Sequence, residues 1–241
     1  MKSVIITGAD RGLGLSLSKE YLNSGYTVFA GKYLEDYTLL EDLQETNKNL
    51  HIIKLDVDSR ESISSAVEAV SKITNNTLDV LISNAALMGE VNCTLRKPPM
   101  DIEAVWRSFS VNALGPARLV ELFLPLLDNS KRKRLCFVSS EVSCINLMRH
   151  RIGEGFPYPM SKSSMNMGIR IMFNDLYPQD YTFRLYHPGW MKRIQHDGSR
   201  SEEAMYDPDD IAAHAIKYFE TDLKDEQRLV MIDFRSQEWP F

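Results

Sequence analysis

Cysteine is scarce in this sequence: three residues in 241, at Cys93, Cys136 and Cys144. An odd number with no CxxC spacing suggests neither a disulfide framework nor a zinc site, and buried or bystander thiols are the default. Long apolar runs are also missing. The opening Val4-Ile5-Ile6 is far shorter than a signal-peptide core, and no stretch approaches the length of a membrane span. The expectation is therefore a cytoplasmic protein with no membrane partner. Positive charge is not in excess: 28 Lys and Arg stand against 33 Asp and Glu, a net charge of -5 that gives no reason to expect nucleic acid. The one basic run, Lys131-Arg132-Lys133-Arg134, reads as a solvated loop ahead of strand-like Leu135–Ser139. Linkers rich in Pro, Gly or Ser, composition breaks and fixed-period repeats are missing as well, so residues 1–241 read as a single domain.

What is present is an alternation. Strand-like runs rich in β-branched and apolar residues fall at Ser3–Ile6, Thr27–Ala30, His51–Leu55, Val80–Ser83, Arg134–Ser139, Thr182–His187 and Arg228–Asp233. Between them apolar residues take helical spacing: Leu13, Leu17, Tyr21 and Leu22, then Ile63, Val67 and Val70. A long later helix is marked by Val105, Phe109, Leu119, Phe123 and Leu126. Parallel neighbours need a right-handed crossover, which a helix supplies. The pattern predicts an α/β fold: one Rossmann-like domain with a doubly wound, seven-stranded parallel sheet and helices on both faces. Two segments escape it. Asn146–Pro157, with Gly153 and Gly155, is a candidate lid or substrate loop, and Arg193–Pro208 separates the sixth strand from the last helix.

Directly after the first strand comes Thr7-Gly8-Ala9-Asp10-Arg11-Gly12-Leu13-Gly14, opening the first helix. Glycines here permit a tight turn, close approach of a pyrophosphate to the backbone, and close packing of helix on strand. The helix N-terminus offers free N–H groups and a partial positive charge to the anion. Gly8, Arg11, Gly12, Leu13 and Gly14 are the candidate phosphate-binding residues.

The TGxxxGLG spacing resembles the short-chain dehydrogenase/reductase family, and further matches follow in order along nearly the whole chain. They are Asp56-Val57, Asn84-Ala85-Ala86, Val111-Asn112-Ala113-Leu114-Gly115, Ser139-Ser140, Tyr158-Pro159-Met160-Ser161-Lys162 and His187-Pro188-Gly189-Trp190. The last is similar to the carbonyl-reductase-like branch. The resemblance implies an oxidoreductase moving a hydride between a nicotinamide and a carbonyl or alcohol, assembled as a homodimer or homotetramer.

Reduction of a carbonyl places negative charge on its oxygen and calls for a proton donor. A phenol is a weak acid, but Lys162, four residues after Tyr158, shares its helical face, where an ammonium favours the phenolate. Pro159 is tolerated in a first turn. On its own a YxxxK is more often a solvated helix face. By resemblance, Ser140 hydrogen-bonds the substrate oxygen, Lys162 also holds the nicotinamide ribose, and Asn112 positions a water that relays protons to the lysine. The bland alternatives are a strand-end cap for Ser140 and a helix-backbone partner for Asn112.

An acidic residue after the second strand favours NAD, and a cation favours the 2′-phosphate of NADP. Gly31-Lys32-Tyr33 stands there, so NADP(H) is preferred, with NAD(H) as the alternative and Lys32 and Arg11 as the phosphate's candidates. Asp56 and Val57 are expected at the adenine, Asn84, Ala85 and Ala86 on the adenosine and ribose side, and Pro188, Gly189 and Trp190 at the nicotinamide end. The chain departs from the family after Gly189, where Trp190-Met191-Lys192-Arg193 lacks the usual threonine. Phe156, Met160, Trp190 and Met191 either line an apolar pocket or serve packing, and a nucleotide-binding sensor without turnover is the competing reading.

Overall fold

The computed structural model describes residues 2–89, 101–148 and 155–241. Cys93, Gly153 and half of the Asn146–Pro157 segment (149–154) lie outside the described residues. Strands β1 (Ser3–Ile6), β2 (Thr27–Lys32), β3 (Leu50–Lys54), β4 (Val80–Ser83), β5 (Arg134–Val138), β6 (Thr182–His187), β7 (Met231–Asp233) and β8 (Glu238–Trp239) form one sheet, ordered β3-β2-β1-β4-β5-β6-β7-β8. The first seven run parallel, as the alternation predicts. The expected count of seven is corrected by β8, which pairs antiparallel with β7 (Met231 with Trp239). Its two residues are too few to show a period. What makes it is the turn: Asp233 Oδ1 accepts from Arg235 N and Gln237 N, both at 2.8 Å.

Period-two alternation explains how such short strands serve two cores. Ile5, Phe29, Leu81, Leu135, Phe137 and Leu185 face one side, where helices α3 (Arg60–Thr74), α5 (Gly115–Asp128) and α6 (Pro157–Leu176) bring Ile63, Phe123 and Ile169. Val4, Ile6, Val28, Val80, Ile82 and Val138 face the other, against α1 (Gly12–Asn23), α2 (Leu39–Thr46) and α7 (Pro208–Glu220). The strand order reverses between β1 and β4, and in open α/β sheets that crevice at the strands' carboxyl ends receives ligands.

The predicted long helix is observed in three pieces: α4 (Ile102–Phe109), one π-helical turn at Ser110–Leu114, and α5. Together Ile102–Asp128 run 27 residues and are long and apolar enough to cross a membrane by length and composition, which amends the expectation from sequence. Leu119, Phe123 and Leu127 of this stretch are fully buried against the sheet. The basic run is also corrected. Arg134 is the first residue of β5 and fully buried, its Nη2 2.6 Å from Asp222 Oδ1. The Arg193–Pro208 segment contains a small hairpin, with Ile194 bridged to Arg200 and Arg200 Nη2 held 2.7 Å from Asp209.

Candidate active site

The turn after β1 is sewn to the end of β4 across the crevice. Thr7 Oγ1 accepts from Asn84 N and Ala85 N at 3.0 Å each, and Asn84 Nδ2 donates to the carbonyls of Thr7 and Gly8 at 2.9 and 3.0 Å. Asn84 thus has a structural task, with its amide spent on the turn. Gly8 has φ +61, and a Cβ there would meet Ala85 Cα at 2.8 Å; one at Gly14 would lie 2.2 Å from the Gly8 carbonyl oxygen. Those two glycines serve packing. Gly12 differs: its φ is +58 and a Cβ would meet nothing within 4 Å. Its open side, together with an α1 N-terminus that has no side-chain cap and no acid in its first turn, fits an approaching pyrophosphate.

The corner after β2 is more crowded than the sequence suggests. Lys32 Nζ lies 2.6 Å from Glu41 Oε1, so a carboxylate from α2 occupies a corner where Gly31-Lys32-Tyr33 has none. Arg11 Nη1 donates to Tyr37 Oη at 2.6 Å, and the Tyr37 ring stacks on His196, centroid to centroid 4.0 Å. Asp10 Oδ1 accepts from Tyr33 N and Leu34 N at 2.7 and 2.8 Å, shaping the loop from inside the glycine motif. Thr7, Asp10, Tyr37 and His196 were not singled out from sequence. Asp10 carried a signal, since a short carboxylate within a turn commonly satisfies backbone N–H groups; Tyr37 and His196 meet only through the fold. Asp56 Oδ1 accepts from Asp58 N at 2.9 Å, and Val57 packs on Gly115, where a Cβ would lie 3.2 Å from Val57 Cγ2.

At the other side of the crevice, α6 begins at Pro157, which puts Tyr158 and Pro159 in its first turn as expected. Lys162, one turn on, is 2% exposed. Its Nζ donates to Val138 O at 2.8 Å and lies 5.7 Å from the Tyr158 ring centroid. Burial pulls this ammonium down to about 8. Ser140 follows β5 in extended backbone and caps a short 3₁₀ turn, its Oγ accepting from Val142 N at 3.4 Å.

Asn112 sits in the π-helical turn, a feature frequent at functional sites. Its amide pairs with the Leu87 backbone in both directions at 2.7 Å and donates to Ser161 Oγ at 2.9 Å. Ser161 Oγ in turn donates to Tyr158 O at 2.8 Å, so Asn112 braces the start of α6. Gly189, with φ +77, would place a Cβ 2.8 Å from the Phe234 ring, which explains glycine after Pro188. Trp190 is 63% exposed and is not packed into the site.

The family model described as short chain dehydrogenase matches residues 2–204. The chain belongs to that family. An uncharacterized oxidoreductase of Schizosaccharomyces pombe is 30% identical over 96% of this chain and 90% of its own length. A short-chain dehydrogenase/reductase of an Arthrinium species is 29% identical over 92% of the chain and 86% of its own length. Among solved structures, an NADPH-bound carbonyl reductase from chicken fatty liver superposes with a TM-score of 0.87 at 22% identity, covering 100% of this chain and 99% of that one. The carbonyl reductase Sniffer of Drosophila melanogaster superposes at 0.86 with 24% identity over the whole of both chains. These likenesses are of fold. As a short-chain dehydrogenase the protein is an oxidoreductase acting on carbonyl or alcohol groups.

Proposed function

We propose that this short-chain dehydrogenase is an NADP(H)-dependent carbonyl reductase, or alcohol dehydrogenase in reverse, with Tyr158 as its acid/base. The observation that carries the reading is the buried Lys162, one helical turn from Tyr158 and hydrogen-bonded at the end of the strand that presents Ser140. The nicotinamide, when bound, supplies or accepts the hydride. Tyr158 gives its phenolic proton to the carbonyl oxygen as charge develops there, and the Lys162 ammonium favours the phenolate left behind. Ser140 Oγ donates a hydrogen bond to the same oxygen. Gly12, Leu13 and Gly14 hold the pyrophosphate at the α1 N-terminus. Arg11 and Lys32 take the 2′-phosphate, for which Arg11 must turn from Tyr37 and Lys32 from Glu41. Exposed Met167 and Ile171 on α6 support assembly as a homodimer or homotetramer.

A cofactor-binding sensor is the second reading, favoured by the run Trp190–Arg193 with no hydroxyl beside Gly189. Titration with NADPH and NADH by fluorescence, followed by absorbance assays over aldehydes, ketones, quinones and diketones, separates the two. Tighter NADPH binding with turnover of a carbonyl supports the reductase; binding with no turnover supports the sensor.

A further inference from the structure

Behind the proposed catalytic serine lies a closed chain of polar side chains that the reaction itself does not use. Ser139, Ser143 and Asn166 are each 2 to 3% exposed. Ser139 Oγ donates to Asn166 Oδ1 at 2.8 Å, Asn166 Nδ2 donates to Ser143 Oγ at 2.7 Å, and Ser143 Oγ donates to the carbonyl of Ser140 at 2.6 Å. Ser139 Oγ also lies 3.3 Å from Ser143 Oγ, a longer second contact for its one proton. Ser143 has one proton, and giving it to Ser140 requires that Asn166 approach with its amide N–H, which turns Asn166 Oδ1 toward Ser139. Ser163 Oγ of the same helix adds a bond to Ser143 O at 3.0 Å. The chain therefore joins the loop that carries Ser140 to α6, the helix that carries Tyr158 and Lys162, and it ends on the backbone of Ser140 itself.

Burying three hydroxyl or amide side chains costs free energy unless each is satisfied, and an apolar core would hold β5 against α6 as well. The Ser140 carbonyl also accepts from Ser143 N at 3.1 Å within the 3₁₀ turn, and what the polar chain adds is direction: it ties the rotation of that peptide to α6. We propose that Ser143 and Asn166 are positioning residues that set Ser140 Oγ against the Tyr158 hydroxyl. This role rests on the reading of Ser140 and Tyr158 given above.

The test is a double-mutant cycle. Ser143→Ala removes the last link and Asn166→Leu removes the middle one at similar volume. Each should lower kcat on the order of 10- to 100-fold with NADPH affinity unchanged, because a small misplacement of a reacting group is costly while the cofactor's own contacts are intact. In a Ser140→Ala background, Ser143→Ala should cost nothing further, since its effect passes through Ser140. An equal loss in both backgrounds shows a merely structural role and overturns the proposal. Hydrogen exchange of a peptide covering residues 139–148 gives a readout independent of turnover. Faster exchange in Ser143→Ala and Asn166→Leu is expected, and unchanged exchange overturns the positioning role even if kcat falls. A wild-type protein that binds NADPH and reduces no carbonyl overturns the function of the site instead, while the exchange measurement still decides whether the chain holds the loop.

Discussion

The two ends of the sheet treat buried positive charge in opposite ways. At the amino ends of β5 and β6, Arg134 and Arg184 are fully buried, and both reach carboxylates: Arg134 Nη2 lies 2.6 Å from Asp222, and Arg184 grips Glu226 with both terminal nitrogens at 2.8 and 2.6 Å. Arg132 joins them with Glu220 at 3.3 Å. Further donors of the three fall on the carbonyls that end α7, at Phe219 and Glu220, and on that of its cap Thr221, where a cation also suits the helix dipole, while Arg132 Nε and Arg184 Nε are buried with no partner among the described residues. At the carboxyl end of β5, Lys162 is as deeply buried, yet its ammonium has the Val138 carbonyl at 2.8 Å in place of an acid. A guanidinium with matched carboxylates stays charged and holds structure together. An ammonium with a carbonyl and, among the described residues, no paired carboxylate is left near its own titration point, which is where acid/base chemistry needs it.

That contrast is most sharply tested at the carboxyl end. Tyr158→Phe should lower turnover about 10³-fold with NADPH affinity nearly unchanged, because a positioned proton donor contributes roughly 10² to 10⁴; steady-state kinetics alongside a binding titration checks it. At the amino end, Glu226→Ala should leave the Arg184 charge buried without its partner and cost ~3 kcal/mol in denaturant unfolding. The activity of the folded fraction should be unaffected.

Lys162→Met joins the two ends in one measurement. Burial lowers the lysine from 10.5 to about 8, so the unfolded chain holds the proton more tightly. The buried ammonium therefore costs stability at and below pH 8, by up to ~3 kcal/mol, and the cost fades as pH rises from 8 toward 10.5. Lys162→Met should be more stable than the wild type at pH 7, with the gap closing toward pH 10, although inactive. Thermal unfolding across that range decides, and a gap independent of pH would show that the ammonium is not strained.

The smallest effect is expected at the cofactor corner. Arg11→Ala should weaken NADPH more than NADH, and Lys32→Ala should do so less, because Lys32 must first leave Glu41. Comparing the two nucleotides by titration reads both.

The sheet and its helices were legible because their cause is local: short apolar runs with period two, helices with period 3.6, and glycine where a turn demands it. β8 was not, since two residues carry no period and the turn that makes it depends on one carboxylate, Asp233. Arg134 was misread for a related reason. A run of four basic residues looks solvated until the fold supplies Asp222 some ninety positions later. At the site, Gly8, Arg11, Gly12, Leu13 and Gly14 could be named from the turn they share and Tyr158 with Lys162 from helical spacing, whereas Ser140 could be named only through the family resemblance. Tyr37, His196, Ser143 and Asn166 could not, since each matters through a partner from a distant segment. Lys32 shows the converse, a residue visible in sequence whose neighbour Glu41 changes what it can do.

The small hairpin made by β8 also decides how these molecules meet one another at high concentration. A sheet with two bare margins can recruit strands on both flanks, but here the β7 side ends in a strand of two residues, too short to template another chain. The other margin is β3, five residues reading Leu50-His51-Ile52-Ile53-Lys54, of which the last is a lysine and exposed. Among the described residues, clumping through strand addition therefore has a single flank to start from, guarded by Lys54 and its exposed partner Glu35, 3.1 Å away.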